Sequence, residues 1–296
     1  MDYTSRRVSY VFLCMVPFLA IAFGAPRALR VPGVYQAIGG ALFAAVLIAA
    51  WILGAQAIKS GAEGEQRLAL AGVFLIVPFA LVSLLWVGLG PPWVATPPEN
   101  LMRYLVLLVS SIAVPAGFVV LKDALSEAGE RSYSTLGFAA MMLAGPAYLI
   151  FMSFALGAYV VKVRTGQVPP AIVSLGDVLE ILLFVACVLT YLATAAFAAS
   201  FGRIRWLGRG ATRAYVAANL IALLCLVMRG MSFPNPAALS TPWYTQPGFV
   251  AGIPAVPFIM PFLLGVVLLR RAGDKQPTSE SQWSTVPIPP RESTQA

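Results

Sequence analysis

The residues best equipped for chemistry in this chain are few, and they lie inside long apolar runs. Asp177, Glu180, Cys187, Tyr191 and Thr194 fall within about a quarter of the circumference of a single helix at 100° per residue. Tyr215 and Asn219 sit one turn apart in the next apolar run, which places Asn219 at roughly the depth of Thr194. A polar edge of this kind must face protein or water. As a site, Glu180, Tyr191, Thr194, Tyr215 and Asn219 would line a polar cavity for a small uncharged or zwitterionic group. As structure, Thr194 and Asn219 would instead form an interhelical hydrogen bond, typically worth about 0.6 kcal/mol and at most about 2 kcal/mol. Asp177 and Glu180 lie close to Lys162 and Arg164 across one loop, where an interfacial ion pair is the simplest expectation.

Pro254, Pro257 and Pro261 complete the candidate ligand-binding set. They share one face of the last apolar run and remove three amide donors from its ladder. A bend or irregular turn is expected between Gly252 and Pro261, facing into the bundle as a hinge or a cavity wall, or packed by neighbours as a static kink.

What is missing narrows the chemistry further. The chain has no histidine, so imidazole bases and histidine-ligated haem, di-iron and most zinc chemistry are excluded. Cys14, Cys187 and Cys225 each lie within an apolar run, which predicts buried thiols and neither a disulfide framework nor a metal site. No pair of acids lies near the middle of the spans, no Gly-x-Ser-x-Gly elbow precedes a base, and the last apolar run has no lysine for a Schiff base. No catalytic residue and no cofactor is assigned.

The elements that must position these residues follow from composition. Of 296 residues, 59% are apolar and 11% charged, too few charges to cover a water-facing surface. The apolar residues come in runs long enough to cross about 30 Å of hydrocarbon, which predicts an all-α polytopic transmembrane helix bundle without a soluble domain. Eight spans are expected near residues 8–24, 34–58, 68–90, 101–121, 136–161, 178–202, 212–228 and 248–269. Residues 1–271 then form the bundle, and residues 272–296, polar and rich in Pro, Ser and Thr, form a disordered cytoplasmic tail. The start resembles a secretory signal in its Arg6-Arg7 pair, but Pro17 interrupts the apolar stretch and predicts retention.

Charge sets the expected orientation. Six of the 20 Lys and Arg residues (Arg27, Arg30, Arg103, Lys162, Arg164 and Arg229) fall on one side of the eight-span arrangement, and the other fourteen on the side holding the N-terminus. Basic residues are retained in the cytoplasm, so both termini are expected there, in a bacterial inner membrane or its equivalent. Arg203, Arg205, Arg209 and Arg213 form the densest basic segment, a topology signal or a site for anionic lipid or a protein partner. Nucleic-acid binding finds no support. The second span carries Ala37, Ala41, Ala45 and Ala49 at steps of four with Gly40 and Ala44 alongside, a packing stripe within the bundle or between protomers of a homo-oligomer. On the outer side, Gly90 to Pro98 and Phe233 to Pro247 form proline-rich loops with interfacial aromatics.

Two functional readings follow. The first is a permease-like protein handling a small neutral or lipidic molecule; the second is a non-catalytic membrane subunit or sensor engaging partners through its Arg-rich loop and tail. A water-filled cavity between the sixth, seventh and eighth helices would favour the first. A filled bundle with an exposed small-residue face on the second helix would favour the other.

Overall fold

A computed structural model describes residues 3–24, 32–60, 62–90, 95–232 and 256–273, and all regular structure among them is helical. The helices are α1 (Tyr3–Gly24), α2 (Pro32–Ser60), α3 (Glu63–Leu89), α4 (Pro97–Glu127), α5 (Ser132–Thr165), α6 (Pro170–Arg203), α7 (Arg209–Ser232) and α8 (Ile259–Gly273), the last preceded by a 3₁₀ turn at Val256–Phe258. Pro254, most of the loop through Pro242-Trp243-Tyr244 and the tail from residue 274 lie outside the described residues.

Most of these helices outrun the apolar segments expected for them, because their polar ends carry their own hydrogen bonds. At the start of α4 the Glu99 carboxylate accepts from the Thr96 backbone N–H at 2.7 Å and from its hydroxyl at 2.8 Å. At the start of α3, Arg67 donates to Glu63 one turn earlier at 2.5 Å and reaches across to Glu127 at the end of α4. Among the described residues, α2 to α7, and α8 together with its 3₁₀ turn, are long and apolar enough to cross a bilayer. α1 begins with a polar stretch that includes Arg6 and Arg7. It nevertheless buries Ser9, Leu13, Val16 and Ala20 on one face and exposes Val8, Val11, Met15 and Phe18 on the other.

Apolar exposure of that kind recurs around the molecule. Ile48, Val109, Ile112, Leu143, Ile181 and Ile221 are all more than half exposed, a surface that suits lipid and not water. The protein is a multipass membrane protein by this architecture.

Each helix from α1 to α6 packs against its successor, and α8 packs most extensively on α3 and also touches α1, α2 and α6. Its residues Phe262, Leu264, Val266 and Leu268 are fully buried, so the shortest helix lies at the centre. The ends of the helices sort onto two faces. Arg6 of α1 donates to the Arg270 carbonyl of α8 at 3.2 Å, Arg67 joins α3 to α4, and Glu130 before α5 lies 4.0 Å from Arg203 of α6. Successive helices alternate in direction, which brings all three links to one face.

The alanine stripe of α2 does not pack as a unit. A step of four residues advances 40° around a helix, so Ala37 and Ala49 lie about 120° apart. Ala49 is buried, Ala45 half-buried, and Ala37, Gly40, Ala41 and Ala44 are exposed. The close approach to α3 is made by Gly39, where a Cβ would lie 3.0 Å from the Gly88 amide nitrogen and the Leu84 carbonyl oxygen.

Candidate functional site

The polar stripe of α6 divides between two neighbours. Cys187 faces α5, where the Tyr148 hydroxyl lies 3.4 Å from its sulfur, and Tyr148 in turn meets Phe258 of the 3₁₀ turn with ring centroids 5.4 Å apart. Thr194 faces α7: its Oγ1 lies 2.5 Å from Asn219 Oδ1, to which the hydroxyl donates, and 2.8 Å from the Thr190 carbonyl. The Asn219 amide donates back along its own helix to the Tyr215 carbonyl at 2.8 Å. Thr190 does the same toward Ala186 at 2.8 Å. Thr194, Asn219 and Tyr191 are buried and Tyr215 is half-buried against the core. Asn219 therefore has a partner at the depth its position predicts, and in hydrocarbon an unpaired amide there would be costly.

The other predicted positions lie apart from this pair. Glu180 is exposed on the first half of α6, a turn and a half or more from the buried residues of the same stripe. On that part of α6, Gly176 lies against Phe154 of α5. Pro257 and Pro261 are buried, Pro257 in the 3₁₀ turn and Pro261 in the first turn of α8. A proline there removes an amide that would lack a helical acceptor anyway; the 3₁₀ turn lies within the stretch expected to be irregular, of which residues 252–255 are outside the described residues. Among the described residues α7 packs chiefly along α6, and α6 meets α8 only lightly.

Two side chains that sequence reasoning had read differently or passed over anchor the helix ends. Arg103, which counted there as an outer-side topology charge, is buried in α4; it donates to the Asn100 side chain at 3.2 Å and to the Gly90 carbonyl at the end of α3. Its signal was an arginine at the edge of an apolar run, where a charge must find carbonyls or water. Glu130 is buried before α5 and accepts from the Tyr133 and Ser134 amides at 3.0 and 2.9 Å. Burial pushes its carboxyl pKa up, but the Ser200 hydroxyl of α6 and those two amides outweigh burial and hold it below the usual value.

Two open grooves complete the description. One of about 550 Å³ lies between α2, α3 and α8 and is almost wholly apolar, lined by Leu47, Trp51, Gly54, Leu70, Val73 and Leu269 among others. The other, about 660 Å³, lies between the start of α4 and the end of α5, with Asn100, Tyr104, Tyr159 and Lys162 in its wall. Among the described residues no group of His, Cys, Asp and Glu is placed to hold a metal ion.

On the face that holds the N-terminal end of α1, the basic segment forms a compact turn. Arg203 is half given to Glu130 and lies over the Tyr133 ring at 5.5 Å. Arg205, Arg209 and Arg213 are exposed, and among the described residues none has a carboxylate partner. Comparison of the chain with protein families, with curated proteins and with solved structures finds no match.

Proposed function

We propose that this chain is a non-catalytic membrane subunit that works by assembling with another transmembrane helix, rather than a path for a solute. The observation that carries the reading is the outward face of α2: Gly33, Ala37, Gly40, Ala41 and Ala44 are all exposed, and a Cβ built on Gly33 or Gly40 would meet nothing within 4 Å. Small residues on a lipid-facing stripe let a second backbone approach closely, which is the main source of helix association where no hydrophobic force acts between helices. The interior supports the same choice, since Thr194 and Asn219 bond to each other and α8 fills the centre. By the excess of basic residues, the face with Arg6, Arg67 and Arg203 is assigned to the cytoplasm, of a bacterial inner membrane or its equivalent.

The apolar groove between α2 and α3 favours the second reading, a permease-like protein handling a lipidic molecule. Disulfide trapping separates the two. A cysteine-free variant carrying Ala41→Cys, oxidised in its native membrane, should give a discrete crosslinked species, while Ile181→Cys on the exposed face of α6 should not. Ala41→Cys remaining monomeric, with lipidic cargo co-purifying in the groove, would reverse the choice.

A further inference from the structure

We propose that the turn between α6 and α7, together with the outward face of α7, is a binding site for an anionic phospholipid. The turn itself is tightly built. The Trp206 amide donates to the Phe201 carbonyl at 2.9 Å and the Arg205 amide to Gly202 at 3.3 Å, with the Phe201 and Trp206 rings 5.6 Å apart. This is the bonding of a Schellman motif, whose left-handed position normally holds glycine. Here Arg205 occupies it at φ 57°. Thr212 packs against Gly202 and holds the start of α7 to the end of α6.

The charges on this turn work against the local fold. Arg209 and Arg213 stand one turn apart at the N-terminus of α7, where like charges repel and the helix dipole favours anions. Neither they nor Arg205 has a carboxylate partner among the described residues. Three cations gathered without internal compensation call for a negative group from outside.

The rest of α7 indicates which negative group. Below Arg213 the same helical face continues as Ala217, Leu220, Ile221, Leu224 and Met228, all exposed. A cationic end running directly into a lipid-facing apolar strip matches a molecule with a phosphate at one end and hydrocarbon at the other. An acidic protein segment would use the charges but not the strip. The proposal stands independently of the assembly role assigned to α2.

The test uses the full chain in phosphatidylcholine nanodiscs titrated with phosphatidylglycerol, read by thermal unfolding. The anionic lipid should raise the unfolding temperature of the wild type. Combining Arg205→Gln, Arg209→Gln and Arg213→Gln should weaken the apparent affinity by on the order of a hundredfold, about a factor of five per charge. Equal stabilisation of wild type and the glutamine variant would overturn the site. Inorganic phosphate or a polyglutamate peptide reproducing the whole effect in phosphatidylcholine would overturn the lipid assignment in favour of a soluble anion or an acidic protein. A second measurement needs no variant: the wild type released from mixed-lipid nanodiscs into a mass spectrometer should retain phosphatidylglycerol over phosphatidylcholine, and equal retention of the two would also overturn it.

Discussion

Gly72 of α3 and Gly265 of α8 cross backbone to backbone: a Cβ on Gly265 would stand 2.9 Å from the Gly72 carbonyl oxygen, and one on Gly72 would stand 3.1 Å from that of Gly265. This crossing seats the central helix. The two positions are not equivalent, since the nearest atom to a Cβ on Gly72 is a movable Leu269 methyl at 2.8 Å, whereas Gly265 meets a carbonyl first. We expect Gly265→Ala to lower stability in detergent by about 1–3 kcal/mol and Gly72→Ala by less. Gly40→Ala, with open space around it, should be neutral or slightly stabilising. Thermal unfolding of the three variants checks the order, and a neutral Gly265→Ala would show that α8 does not depend on the crossing.

Thr194 and Asn219 lend themselves to a double-mutant cycle. Thr194→Val and Asn219→Leu, singly and together, should show a coupling of about 0.6 kcal/mol and no more than about 2 kcal/mol. Zero coupling would mean that the two groups serve something other than each other.

Glu130 gives stability a pH dependence with a definite sign. Its carboxyl pKa is lower in the folded protein, so the contribution is fully present above the unfolded value of about 4.3 and is lost as pH falls through the folded value. Glu130→Gln should therefore cost about 1–3 kcal/mol near neutral pH, and the gap to wild type should shrink as pH drops below about 4. Unfolding measured across that range tests this, and a gap independent of pH would remove the carboxylate from the explanation.

Sidedness can be read directly. In a background without Cys14, Cys187 and Cys225, a cysteine at exposed Gly208 should react with an impermeant thiol reagent from the cytoplasmic side only, and one at exposed Gln167 from the opposite side only. Labelling of both from the same side would contradict a crossing of the membrane by α6.

Helix positions were legible because an apolar run of sufficient length leaves hydrocarbon as its only solvent. The Thr194–Asn219 pair was legible as well, since residue counting yields both depth and face along a helix. Which helices become neighbours is a different kind of information. Nothing local in Ile259–Gly273 marks it as the centre; its prolines predict a hinge, a cavity wall or a kink, and its central place follows from Gly72 of a distant segment standing against Gly265. The place of Glu180, exposed on α6, was not legible for the converse reason, as a helical face has meaning only where another element covers it. Arg103 and Glu130 were obscured by their type, because charge counting treats every cation alike, leaves acids out, and cannot distinguish a topology signal from a brace.

The central place of α8 has a consequence for biogenesis. Ribosomes deliver chains from the N-terminus, so α1 to α7 enter the membrane before the helix that several of them are shaped to surround. Until it arrives, Gly72 and the buried faces of α1, α2 and α3 must meet lipid or one another. The assembly thus resembles an arch awaiting its keystone, and its vulnerable interval lies between the insertion of α3 and the arrival of α8.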